Sequence, residues 1–421
     1  MSRYIGLILF CFIIVGCSVK EPKVNLGKKS FEAEDYLILV ALDFRKNKKY
    51  RDAIKVFKEL YEKSHKYSYL LEAVRTSIFI KDPNFTQRLM NYALKEYPNS
   101  VELKRIKIGF LMRHKKFEEA EKTALELLEL EKSARNLNLI GNVYFAKGAY
   151  ELALKYFESA YKQAQDSNSL LNIVDILYNY LDKKEDAIAL LETHIRMKSC
   201  EDLICYKLVE IYGKERNIDG IISTYKRLYK KHKSRQIAEK IVELYMYKKD
   251  KKGAIEFLKS SDYDKKKLLE IYLSTQDFKN AFEVAKELFK QSGDIDYLGK
   301  MAIYEYEINK NNIDKKILAS ISNKFEKVIK KLYEPLYLNY YGYLLIDHNI
   351  DPQKGIKLVK AALLKEPNSP FYLDSLAWGY YKIKKCKEAY EIMKKLIKDT
   401  KEEEILMHYN KIKECLKKGK K

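Results

Sequence analysis

Apolar positions along this chain fall on a helical period, and the helical pattern itself recurs about every 34 residues. The clearest copy places Gly141 twelve residues before Ala153, with Tyr144 between them and Phe157 and Ala160 after. Aligned on that small residue, the copies put Ala53, Ala120, Ala153, Ala187, Ala254, Ala281 and Ala389 in one slot. Nine positions earlier stand Phe44, Tyr144, Tyr178, Tyr245, Tyr272 and Tyr380. A small residue on the second helix of a pair lets the first cross it closely, and a large ring fills the space beside it. Tyr212 keeps the phase in a weaker copy whose small residue has become Ile221. Gly148 and Tyr150 mark the tight turn of the best copy, and Pro98 and Pro367 mark turns elsewhere. No alternating strand pattern bounded by Gly and Asn turns is present. The expected fold is all-α, a helix-turn-helix solenoid in which each hairpin buries its apolar face against its neighbours.

The slots and their spacing resemble the tetratricopeptide repeat (TPR) family. That resemblance implies a right-handed superhelix of about ten repeats. It would span residues 34–330, a C-terminal pair of repeats at 331–400, and a capping helix with a basic tail at 401–421. It also implies a binding scaffold, with the first helices lining a concave face that takes an extended peptide or a helix. Inward positions in the central repeats are then Asn138, Asn142, Asn172 and Asn179, whose carboxamides both donate and accept. The lysines and arginine of the chaperone-binding subgroup are not reproduced around them. The segments Leu338–Tyr343 and Leu373–Tyr381 resemble the closing repeats of bacterial envelope TPR lipoproteins, with Ala377 in place of a glycine. Their inward positions are Asn339, Tyr343, Phe371, Asp374, Trp378 and Tyr381, the group containing the only tryptophan. Aromatic residues often carry interface energy; packing between repeats is the other use of Trp378.

The first sixteen residues stand apart from the repeats. Arg3 gives a basic start, Ile5 to Val15 are nearly all apolar, and Gly16 precedes Cys17, the layout of a secretion signal. Ile14-Val15-Gly16-Cys17 resembles the bacterial lipobox, which implies cleavage before Cys17 and acylation of its thiol. Ser18, where many Gram-negative lipoproteins destined for the inner membrane carry aspartate, favours the outer membrane. Residues 17–33 then form the lipidated terminus and a polar tether.

The net charge is +22, and +21 once Arg3 leaves with the signal. Lysines number 69 and arginines 12, with none after Arg235, so the surface reads mainly as solvated lysine. Phosphate sites favour the arginine fork, and export argues against a nucleic-acid partner. Four cysteines remain besides lipidated Cys17 in the processed chain: Cys200, Cys205, Cys386 and Cys415. An exported compartment permits disulfides. Cys386 starts the second helix of the last repeat and Cys415 ends the antiparallel cap helix, so a bridge between them is expected. Cys200 and Cys205 could close a small loop only if Cys200 lies outside the helix.

No metal-ligand spacing, Gly-rich phosphate loop or nucleophile motif is present, so no enzyme, metal site or cofactor is expected. The expected role is a lipid-anchored scaffold or assembly factor on the periplasmic face of the outer membrane. It would bind envelope proteins of a pilus, secretin, flagellar or outer-membrane assembly machine. A regulator of a peptidoglycan synthase or hydrolase and a surface-exposed lipoprotein are the alternatives, and self-association through the bare array ends stays open.

Overall fold

The computed structural model describes residues 29–397 and 400–418. The signal segment, Cys17, Ser18 and residues 419–421 of the basic tail lie outside the described residues. The chain divides into two compact units, one ending at Ile211 and one beginning at Tyr212.

Among the described residues the regular structure is 23 helices. The first unit contains α1 (Glu34–Lys46), α2 (Tyr50–Ser64), α3 (Tyr67–Ser77), α4 (Pro83–Glu96), α5 (Val101–Arg113), α6 (Phe117–Leu130), α7 (Ala134–Ala146), α8 (Tyr150–Ala164), α9 (Ser167–Asn179), α10 (Lys184–Lys198) and most of α11 (Asp202–Lys214). The second contains α12 (Ile218–His232), α13 (Arg235–Tyr247), α14 (Lys251–Ser261), α15 (Lys265–Ser274), α16 (Phe278–Ser292), α17 (Ile295–Asn309), α18 (Lys315–Lys331), α19 (Pro335–Asp347), α20 (Pro352–Lys365), α21 (Pro370–Lys382), α22 (Cys386–Leu396) and α23 (Glu403–Lys418). Consecutive helices within each unit pack as hairpins.

The small-residue slot is the fourth residue of each second helix, and most of its occupants are fully buried, as Ala53, Ala120, Ala153 and Ala187 show. Ile221 and Leu318 hold the position in α12 and α18, and two small occupants escape a search for alanine. Thr86 fills the slot in α4 and satisfies its hydroxyl on Ser77 O at 2.8 Å. Gly355 fills it in α20, where a Cβ would lie 2.6 Å from Gly342 O. Gly342 is equally confined, since its own Cβ would meet Gly355 O at 2.9 Å. These two backbones touch, which only hydrogen side chains permit.

Side chains close the helix starts. Asp82, Ser100, Ser133 and Asp166 accept from backbone N–H groups of their first turns, as do Asp250, Asp264, Asp277 and Asp351 in the second unit. In most hairpins the turn uses one left-handed residue, two positions before the second helix. Gly148 supplies it at φ 78° in the best copy. Lys48, Lys115, Asp182, Arg216, Lys249, Gln276 and Lys384 adopt it without being glycine, against the steric preference of L-residues.

The period slips furthest at one place, and there in whole turns. From Ala254 to Ala281 is 27 residues, because α14 has 11 residues and α15 has 10, each about one turn shorter than its counterparts.

Candidate functional site

In the second unit the first helices α17, α19 and α21 stand in sequence, and the start of α23 lies against them around a cavity of about 520 Å³. Tyr306 and Glu307 come from α17, Asn339, Tyr340 and Tyr343 from α19, and Phe371 and Asp374 from α21, with Glu404 from α23. The i, i+3, i+4 spacing of a helix puts such residues on one face. Four of the six C-terminal positions expected from the sequence, Asn339, Tyr343, Phe371 and Asp374, therefore meet at one place.

Their chemistry differs sharply. Phe371 is 57% exposed at the rim. Asn339 and Asp374 are 8% and 5% exposed, and the Oδ1 atom of each is buried without a hydrogen-bond partner. The other carboxylate oxygen of Asp374 lies 2.9 Å from His408 Nδ1. Burial pushes the Asp374 carboxyl above its ordinary range, and the His408 contact offsets part of that rise. The Tyr343 hydroxyl donates to Glu404 at 2.5 Å. Burial, then that carboxylate, raises the Tyr343 phenol, and burial likewise raises Tyr306 and Tyr340, so the walls are neutral phenols. Lys310 is held by Glu307 at 2.8 Å.

Trp378 and Tyr381 are placed differently. Trp378 is 4% exposed, with its indole N–H donating to Asp347 Oδ1 at 2.8 Å. Its ring stacks on Tyr381 and on His408 of α23, with centroids 4.7 and 3.9 Å away. Trp378 is thus buried among α21, α19 and α23 rather than offered to solvent.

The asparagines of the first unit do not form a comparable site. Asn142 and Asn179 are exposed, Asn172 is half-buried, and Asn138 donates to Ser169 Oγ at 2.7 Å, linking its repeat to the next, while its Oδ1 is buried without a partner. Cys200 lies just before α11 and Cys205 within it, joined in a disulfide with Cα atoms 5.7 Å apart. Cys386 and Cys415 are joined likewise, 5.8 Å apart at Cα, fastening α22 to α23. Among the described residues no group of three or more His, Cys, Asp or Glu is placed to hold a metal ion. Also among them, no helix is long and apolar enough to cross a membrane.

Tyr306, Tyr340, Glu404 and His408 are cavity or supporting residues that the repeat pattern did not single out. Tyr340 is adjacent to Asn339 and could have been read from helix spacing. Tyr306 belongs to a copy without the alanine slot. Glu404 and His408 lie on a helix with no hairpin partner, so no register predicts which way they point.

Two-helix hairpins repeated at this interval, with a small residue at the fourth position of the second helix, define an all-α array of tetratricopeptide-type repeats. No protein-family model and no curated protein matches the chain. Among solved structures it is similar to MamA 41-end from Desulfovibrio magneticus RS-1, at 13% identity and TM-score 0.36, covering 41% of this chain and 99% of that one. Pseudomonas aeruginosa pilF aligns at 15% identity and TM-score 0.34, over 51% of this chain and 96% of its own. YrrB, described as a TPR protein with an unusual peptide-binding site, aligns at 18% identity and TM-score 0.30, over 41% and 90%. The superpositions are loose, and the class rests on the repeat register of this chain.

Proposed function

We propose that this protein is a non-enzymatic scaffold that holds a segment of a protein partner in the α17–α19–α21–α23 cavity. The carrying observation is the pair of buried, unpartnered oxygens on Asn339 and Asp374. Asn138 Oδ1 is unpartnered elsewhere in the array, but here two such oxygens belong to the lining of one cavity, a volume that an array serving only as a spacer would fill with side chains.

The envelope setting belongs to the same reading. Acyl chains on Cys17 tether the scaffold to the outer membrane on its periplasmic side, where it acts as an assembly factor for an envelope machine. The lipobox-like Ile14–Cys17 segment supports this. Two disulfides suit an oxidising compartment. Confinement beside the membrane would raise the effective concentration of any membrane-bound client.

The test is in-cell crosslinking from a photoreactive residue at Phe371, which is exposed at the cavity rim, with the exposed Asn142 as a second position. One recurrent envelope protein captured at Phe371 and absent at Asn142 supports the reading. Capture only at Asn142, or none at either, overturns the assignment of the cavity. Cys17→Ala should move the protein from the detergent phase to the aqueous phase; unchanged partitioning removes the lipid anchor.

A further inference from the structure

The cavity is acidic in a strongly basic chain. Glu307, Glu366, Asp374 and Glu404 contribute to its lining against Lys310 alone, while the whole protein carries +22. Glu307 already holds Lys310. Asp374 and Asn339 both line the cavity, and each keeps a buried Oδ1 with no hydrogen-bond partner. Asp374 is only 5% exposed, so its carboxylate has lost water at one oxygen without gaining a partner there. What the site lacks is a multiply donating group, preferably one bearing positive charge.

The walls narrow the choice. Tyr306, Tyr340 and Tyr343 present aromatic rings as well as hydroxyls, and Phe371 closes the rim. A planar cation stacks on such rings and loses less hydration than an ammonium does. We propose, resting on the scaffold reading above, that the cavity is a receptor for an arginine side chain of a basic partner segment. Once a side-chain shift at the wall uncovers Asp374 Oδ1 and Asn339 Oδ1, the guanidinium donates to both while its flat face lies against the tyrosines. A volume of about 520 Å³ leaves room for the flanking backbone. The recognition runs against the overall charge of the protein, so selectivity comes from the local acids rather than from long-range attraction.

Trp378 provides the readout. It is the only tryptophan, and it stacks on His408, which in turn contacts Asp374. The probes are the blocked tripeptides Gly-Arg-Gly, Gly-Lys-Gly and Gly-citrulline-Gly, the last an uncharged near-isostere of the first. Each is titrated at physiological salt into the full disulfide-bonded protein while Trp378 fluorescence is followed. The expected result is a saturable change with the arginine peptide and at least a tenfold weaker response to citrulline. Asp374→Asn and Asn339→Leu should each weaken arginine binding about tenfold, with unchanged helical circular dichroism showing that the fold is kept. Because either variant could disturb α23, Glu404→Gln at the exposed rim serves as a third and should weaken binding several-fold. Equal response to arginine and citrulline, or no saturation with any peptide, overturns the proposal. If Phe371 captures a partner in cells while no arginine peptide binds, the scaffold reading stands and the cation assignment falls.

Discussion

His408 lies flat on Trp378, ring centroids 3.9 Å apart and planes 17° apart, while its Nδ1 reaches Asp374 at 2.9 Å. One residue of the last helix thus supports both the buried indole and the wall of the cavity. Trp378→Ala should cost about 3–5 kcal/mol, the usual range for deleting a buried ring of this size. Hydrogen exchange should quicken across α19–α23 and stay unchanged in α1–α10, because stability in repeat arrays is local. Loss of partner capture with unchanged exchange would instead mean that the indole meets the partner directly.

Two glycines make a paired test of packing against conformational freedom. Gly355→Ala should destabilise the second unit by about 1–3 kcal/mol, since its new Cβ meets the backbone oxygen of Gly342, which cannot swing away. Gly109→Ala, mid-helix in α5 with nothing within 4 Å, should stabilise the first unit by about 0.5–1 kcal/mol. Thermal melts of the two variants should move in opposite directions.

Glu34 at the start of α1 gives the first hairpin a pH dependence. It is buried, yet its carboxylate accepts from Lys66 at 2.6 Å, Tyr69 at 2.5 Å and the Ser30 N–H at 2.6 Å. Burial alone would raise its pKa, but these partners outweigh it and hold the group at about 2 instead of 4.5. A depressed carboxyl stabilises the fold above its ordinary pKa and stops doing so as pH falls through the folded value. Exchange protection in α1–α3 should therefore hold above about pH 4.5 and decline toward pH 2. Glu34→Gln should lower protection at neutral pH and flatten that decline.

The Cys386–Cys415 bond closes a separation of 29 residues around α22 and α23. Replacing both cysteines with serine should cost the second unit about 2–4 kcal/mol. The exchange of α23 should quicken first, and arginine-peptide binding should fall with it, because Glu404 belongs to that helix. Unaltered α23 protection under reduction would show that the Ile405 and Ile412 contacts suffice.

The repeat was legible because one slot has one steric requirement, and Ala153 or Ala187 meets it in the plainest way. Where the requirement is met by other chemistry, as with Thr86 bonding to Ser77 O or Gly355 touching Gly342, the alphabet changes and a search for alanine passes over the copy. Left-handed turn residues were legible only at Gly148, since lysine at 48, 115, 249 and 384 carries no signal for positive φ. The cavity was half visible. Asn339, Tyr343, Phe371 and Asp374 follow from helix spacing within a known hairpin. His408 and Glu404 do not, because α23 has no repeat mate to set its rotation. Trp378 was placed on the right helix, but whether a ring faces solvent or protein depends on the neighbour packed over it, here α23.

The shortened α14 and α15 show how this architecture can change length. Dropping one residue from a helix would rotate everything beyond it by about 100°, turning buried positions outward. Dropping about one full turn from each of two neighbouring helices restores the phase, so the slot at Ala281 is as well buried as that at Ala254. Length changes inside these helices are therefore quantised, and viable insertions or deletions within them come in steps of about three or four residues.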